Sequence, residues 1–487
     1  MMTDMLSHPQ RMSPAALVII YAKLFKRSLG PLSFPAFYSL FTSTSEDRVF
    51  IILMIIGLCL FVPFILALLS YFTKKFYIKD GNLIFIYGLI NRENTIVPLD
   101  HVHSLRTEKG IWFRLLDMRG IIFDTLATRQ EEIELILDEY DWKRLIQVIE
   151  KEEKPLPQSE SEPLENNPTA TIHFPNKNLL LAALCQNHLK GMAVLLSLLA
   201  VIFGSFENLS KDQYESILEW LDSFLDMLIA SPSRIVSTLI IVYVVILVMW
   251  LGKIILRYYD TTMSHDKQLL TFTYGLLTRS SCRFFHDKIC TIWIKRNFLE
   301  KKFGFSTLML RQALNVTALK EEENMKLYGT DSSSFFLRWW LGEDYSSAED
   351  IISAKSGKGV FFRHIAIPTI IALAVCILLY NLQLYIWILF PLLYMLILIP
   401  RGICTMRHSR IILKHNYFIV HNGAFAEIDN YIKYTDIEVV QIRRTPFTRR
   451  FHRVSLAIST SGTTFIIGSL KEEEATLIRE LLINPKE

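Results

Sequence analysis

At 487 residues the chain is too long for one compact core, and two to four units is the natural expectation. Apolar residues make up 51% and gather in a few long runs, which excludes an ordinary soluble globule and implies membrane spans between soluble modules. The net charge of +4 is mild, carries meaning only once located, and suggests no nucleic-acid partner.

The N-terminal segment, residues 1–28, mixes His8, Arg11, Lys23, Lys26 and Arg27 with apolar residues. It has no short apolar core followed by a small-residue cleavage site, so no removable signal peptide is expected. A first transmembrane hairpin is assigned to residues 29–72. Its first run, 29–41, is short and interrupted by Pro31 and Pro35, whereas 49–72 is strong. Residues 73–150 read as a β-module. Strands at 76–79 and 83–87 flank Asp80-Gly81, a pair suited to the left-handed angles of a type I′ turn. Further strands are expected at 93–99, 101–107 and 118–123. The spacing of Ile133, Ile136, Leu137, Tyr140, Leu145 and Val148 then predicts an amphipathic helix over 129–150.

A flexible linker at 151–177 is rich in Pro, Glu and Ser. The second hairpin, 178–257, contains apolar runs at 191–206 and 235–251 around an external loop, 207–233, whose only basic residue is Lys211. A second module at 258–322 runs into a polar linker, 323–362, with no evident closing helix. The third hairpin is placed at 363–402. Its apolar run, 365–400, is about twice the ~20 residues one span needs, and breaks near Asn381 and Gln383. A third module, 403–487, ends in a helix over 470–482.

Orientation follows from the basic residues beside the spans: Lys74 and Lys75, Lys253 and Arg257, Arg401 and Arg407. Such residues are retained on the cytoplasmic side, so each hairpin leaves and returns, six spans are favoured, and every module lies inside. No expected span carries a charged residue or His at its centre, which argues against an ion-coupled transporter.

The chain repeats. Placing Gly88 over Gly275 and Gly423 aligns Tyr87-Gly88-Leu89-Ile90 with Tyr274-Gly275-Leu276-Leu277 and Asn422-Gly423-Ala424-Phe425. Without a gap, Val102, Ile289 and Ile437 coincide, as do Leu105, Ile292 and Val440. Leu116, Phe303 and Phe451 also coincide, preceded by Arg114-Leu115, Lys301-Lys302 and Arg449-Arg450.

With these residues in view, the chain resembles the bacterial PH-like (pleckstrin-homology-like) membrane proteins, of the YdbT-like group. The resemblance rests on an apolar hairpin running into Lys74-Lys75-Phe76-Tyr77, and on Ile96-Val97-Pro98-Leu99 followed by Val102. Lys302-Phe303-Gly304-Phe305 and Arg449-Arg450-Phe451-His452-Arg453-Val454 match a further family stretch, with Asp117 and His452 replacing its glycine in copies one and three. It implies a multi-domain membrane protein of three PH-like split β-barrel modules (α+β) alternating with α-helical transmembrane hairpins. It also implies pairing with a smaller PH-like membrane protein.

Chemistry is sparse. His101 and His103 share one face of an expected strand, but without a third ligand they read as strand surface and not as a metal site. Cys282 and Cys290 are expected on neighbouring strands, reduced and buried. The six cysteines (Cys59, Cys185, Cys282, Cys290, Cys376 and Cys404) include no Cys-x-x-Cys pair and form no disulfide framework. No nucleophile–base constellation or phosphate-binding loop is evident, and the Thr-Ser-Gly-Thr-Thr stretch around Gly462 reads as a hairpin turn. No cofactor, metal or catalytic residue is expected, and Trp339-Trp340 suit either an interfacial anchor or a core.

The functional signal is basic clustering: Lys295, Arg296, Lys301 and Lys302 in copy two, and Arg443, Arg444, Arg449, Arg450 and Arg453 in copy three. Near an anionic leaflet each contributes roughly 1 kcal/mol. The expectation is a non-enzymatic scaffold of the bacterial inner membrane whose cytoplasmic modules bind a partner protein and contact anionic headgroups. The alternative is a component handling or exporting lipid or hydrophobic compounds in envelope stress resistance.

Overall fold

A computed structural model describes residues 8–28, 45–87, 93–98, 102–125, 133–152, 171–186, 231–312 without 267, 325–444 without 347 and 384, 451–483 without 462, and a few positions between 215 and 227. The chain divides into two compact units, residues 1–168, 186–261 and 273–282, and residues 169–185, 262–272 and 283–487.

In the first unit a helix over residues 16–28 (α1) precedes the long helix α2, Ser45–Thr73. Three antiparallel strands follow: β1 (Lys75–Lys79), β2 (Asn82–Tyr87) and β3 (Glu93–Pro98). Asp80 and Gly81 take φ of 50° and 72° between the paired Lys79 and Asn82, the two-residue left-handed turn expected there. A second antiparallel set comprises β4 (Val102–Lys109), the short helix α3 (Ile111–Leu115), β5 (Met118–Thr125) and β6 (Ile133–Asp138).

The helix expected over 129–150 therefore needs correction. Its first half is β6, paired with β5 from Phe123↔Ile133 to Met118↔Asp138, and only Glu139–Glu152 (α4) is helical. Pairing with β5 outweighs the helical spacing of three apolar residues, and the Asp138 carboxylate starts the helix by accepting from the Asp141 N–H at 2.7 Å. Phe76, Leu83, Met118, Ile121, Leu135 and Leu145 meet in one core, which Ala16 and Ile19 of α1 complete.

The second unit holds a seven-stranded antiparallel sheet and a three-stranded one. The larger sheet joins two sequence copies. From copy two come β11 (Ile289–Arg296), β12 (Ser306–Gln312) and β13 (Met325–Thr330); from copy three come β15 (Arg410–Leu413), β16 (Tyr417–Asn422) and β17 (Glu427–Lys433). The seam is β11 on β17, in register from Ile292↔Tyr431 to Arg296↔Glu427. The smaller sheet is β18 (Ile437–Arg443), β19 (Arg453–Thr460) and β20 (Thr464–Lys471). Alternate residues of β19 and β20 face Ile411, Phe418, Val420 and Ile432, and the closing helix Glu472–Ile483 inserts Ala475, Ile478 and Leu482.

Copy two does close with a helix, contrary to expectation: Ser333–Leu341 follows β13 and buries Phe336, Leu337 and Trp340. It follows a strand that begins only at Met325, beyond the repeat segment legible in the sequence.

The aligned positions share backbone geometry. Asp117, Gly304 and His452 all adopt left-handed φ, at 50°, 75° and 52°, and Gly275 and Gly423 share φ of 110° and 107°. The left-handed position is thus shared by all three copies, although two lack the glycine.

Among the described residues four helices are long and apolar enough to cross a membrane, over Leu53–Thr73, Val236–Tyr258, Gly359–Asn381 and Leu389–His408. The last two form the expected hairpin, broken where Gln383 takes φ of 58°. The runs expected at 29–41 and 191–206 lie outside the described residues. Segments on either side of each hairpin pair with one another. Gln10 exchanges two backbone hydrogen bonds with Phe76, at 3.0 and 2.9 Å. Thr171–His173 pairs with Thr262–Ser264, and Ile352–Lys355 with Arg410–Leu413.

Candidate functional site

The short helix α7, Phe298–Phe303, is built by a capping box. The Asn297 N–H donates to the Glu300 carboxylate at 2.8 Å, and Thr307 donates to its other oxygen at 2.7 Å. Glu300 is fully buried, so the helix turns inward at this one acidic residue and carries Lys301 and Lys302 outward. The Asn297-x-x-Glu300 spacing is the signal in the sequence that marks this helix start.

The basic residues proposed from the sequence divide by environment. Arg296 reaches across the β11–β17 seam to Asp429 at 3.1 Å, and Lys301 pairs with Glu427 at 2.5 Å. Lys295 sits one residue before Arg296 on β11, and its side chain is half-buried. Lys302 is exposed. Arg443 donates to the Gln441 side-chain carbonyl at 3.2 Å, Arg444 pairs with Glu472, and Arg453 donates to the Ser469 carbonyl at 3.1 Å. Arg449 and Arg450 lie outside the described residues. Arg296, Arg444 and Arg453 are thus tied into the fold. The outward charge of copy two rests on Lys302, with Lys301 beside it.

At the seam, His421 and Arg296 converge on Asp429, with His421 Nδ1 at 2.6 Å. Burial pushes the Asp429 carboxyl upward, but the His421 hydrogen bond and the nearby positive charges outweigh it and hold the group below its ordinary value. Asp436 shows the opposite balance: burial raises it to about 6, only partly offset by Lys433. Lys433 also lies 4.8 Å above the ring of Trp340, which is a core residue and not a membrane anchor; Trp339 donates to the Asp266 carbonyl at 2.9 Å.

Cys282 and Cys290 fall on successive strands of different sheets, correcting the expectation of neighbouring strands. The Cys290 thiol is buried and pushed up to about 11, mainly by that burial, which makes it a poor nucleophile. His101 and the side chain of His103 lie outside the described residues. The stretch around Gly462 joins β19 to β20 as a hairpin, with Ser459 opposite Thr464.

Antiparallel β-modules closed by helices, alternating with apolar helices of spanning length, define a membrane protein assembled from tandem domains of binding type. The chain belongs to the Bacterial PH domain family, which matches it three times, over residues 28–152, 208–341 and 362–486. The match reaches the family and not the narrower YdbT-like grouping. No curated protein matches the chain.

Proposed function

We propose that the chain is a non-enzymatic scaffold of the bacterial cytoplasmic membrane, holding its three modules against the inner leaflet to engage a smaller PH-like membrane protein and anionic headgroups. The observation that carries this reading is the pairing of the segments flanking each hairpin. Chain entering and leaving a hairpin can form one sheet only when both ends lie on the same side of the membrane. This supports an even number of crossings in each hairpin, six in all. The basic residues beside the span ends, Lys74, Lys253, Arg257, Arg401 and Arg407, support a cytoplasmic side for the modules.

The test uses the full chain purified in detergent with mixed phosphatidylglycerol and phosphatidylcholine, retained lipid being counted by native mass spectrometry. Preferential retention of the anionic lipid is expected, weakened by salt and by K302E together with R449E and R450E. Equal retention of both lipids, or indifference to the substitutions, would remove the headgroup contact. Failure of a small membrane protein to co-purify from native membranes in stoichiometric amount would remove the partner.

A further inference from the structure

Each unit carries an apolar edge that its own core leaves uncovered, and each edge is bonded to the end of a membrane-spanning helix. In the first unit the turn after β9 (Leu269–Tyr274) exposes Leu276 and Leu277. The Leu276 N–H donates to the Leu256 carbonyl at 3.1 Å and the Gly275 N–H to the Tyr259 carbonyl at 2.8 Å, so the turn caps the span that ends at Tyr258. Leu256 and Tyr259 are themselves exposed, which makes the apolar surface of the span continuous with the turn. Helix α3 stands beside it, since a Cβ placed on Gly110 would lie 3.5 Å from the Thr278 hydroxyl. α3 buries Phe113 and leaves Trp112 and Leu115 55% and 74% exposed.

The second unit repeats the construction with different residues. α7 buries Glu300, aligned with Phe113, and leaves Phe298 and Phe303 76% and 54% exposed. Lys301 Nζ and His408 Nε2 share one Glu427 oxygen, at 2.5 and 3.5 Å, and His408 ends the span that begins at Leu389. The turn between β16 and β17, aligned with the leucine turn of the first unit, exposes Phe425.

We infer that these edges are interfacial wedges: Trp112, Leu115, Leu276 and Leu277 in one unit, and Phe298, Phe303 and Phe425 in the other, inserted between lipid headgroups where the spans leave the hydrocarbon. Large apolar side chains clustered in water mark a surface that something covers. Attachment to span ends places these clusters at the bilayer boundary, where aromatic residues are favoured. Arg114 and Lys302, exposed beside them, complement phosphate and not a second apolar protein face. Position, exposure and charge thus select the bilayer as the occupant. The inference deepens the scaffold reading by making the modules themselves membrane-embedded, and it depends on that reading for the membrane alone.

The test is photo-crosslinking of the unaltered full chain, reconstituted in vesicles of phosphatidylcholine alone or with phosphatidylglycerol, using a lipid that carries a diazirine near its glycerol backbone. Peptide mapping should place label on 112–115, 276–277, 298–303 and 425 in both vesicle types, several-fold above exposed Leu477. As a second readout, L276C or F303C carrying an environment-sensitive dye, in a chain with its six native cysteines replaced, should be quenched by brominated lipid. Absence of label at these positions would overturn the inference and leave another protein or a second copy as the cover. Label confined to anionic vesicles would also overturn it, since charge alone would then hold the modules down. Label in both vesicle types without any preference for anionic lipid would sustain the wedges and defeat the headgroup contact proposed above.

Discussion

Two glycines of the second unit share left-handed backbone yet differ sharply in what a side chain would meet, and substituting each by alanine separates strain from collision. At Gly304, φ is 75° and a Cβ would lie in open space. Its counterparts Asp117 and His452 carry side chains at φ of 50° and 52°. G304A therefore costs only the left-handed penalty of about 1–2 kcal/mol, offset by roughly 0.4–1 kcal/mol of entropy removed from the unfolded chain, for a net loss of about 0–1.6 kcal/mol. At Gly423, φ is 107° and a Cβ would lie 2.0 Å from the Ala426 carbonyl oxygen, a backbone atom that can move only if the turn reopens. Strain and collision together place G423A at about 3 kcal/mol or more. For a unit of this size, each kcal/mol moves the unfolding midpoint by roughly 2–4 °C, so a loss of about 6–12 °C is expected for G423A and of about 0–6 °C for G304A. Thermal unfolding of the full chain in detergent, followed by tryptophan emission from Trp293 and Trp340 in the affected unit, measures both. Equal shifts, or a G423A midpoint within about 2 °C of the parent, would refute the claim that the turn is held by its lack of a side chain.

Arg119 makes a two-pronged bond to Glu139, at 2.6 and 2.8 Å, while its guanidinium lies 3.9 Å from the Trp142 ring centroid, so it clamps α4 onto β5. R119K keeps the charge but loses fork and stacking, and should cost about 1–2 kcal/mol in thermal unfolding of the first unit, followed by Trp142 emission; no loss would show that charge alone suffices. Because Asp436 is raised from 3.8 to about 6 by burial, the folded protein binds the proton more tightly than the unfolded one, so its contribution is favourable below pH ~4 and is lost as pH rises through 6. D436N should accordingly raise the midpoint at pH 7 and lose that advantage at pH 4, and a difference independent of pH would refute the assignment.

The repeat, the β character of the copies and the break at Gln383 were legible because each leaves a local mark: an aligned glycine, Asp-Gly between alternating apolar residues, a polar interruption in an apolar run. β6 is not legible in this way, because Ile133, Ile136 and Leu137 fit a helix by spacing while a partner 10 or more residues upstream claims their backbone. Pairing of that kind has no local signature. The same holds for the basic residues. Sequence identifies Arg296, Arg444 and Arg453 as cationic, but only their positions beside Asp429, Glu472 and the Ser469 carbonyl separate them from outward-facing Lys302. The apolar wedges leave no mark in the sequence, because Phe298 and Phe303 resemble core residues and only the buried Glu300 shows which way the helix turns.

The offset between the repeat and the sheet decides which surface the modules present. Strand β17 pairs on one side with β16 of its own copy and on the other with β11 of copy two. Excising copy three alone would leave Glu427–Lys433 as a bare strand edge, a template for aggregation, and would strip Asp429 of Arg296 and Glu427 of Lys301. The sequence copy is therefore not the folded unit. The hairpin Gly359–His408 behaves as a long insertion between two paired strands, β14 (Ile352–Lys355) and β15, within one continuous sheet. A partner or leaflet docking at the seam meets side chains of two copies at once, and the acidic residues of β17 that order the basic ones of copy two make that surface a property of the pair.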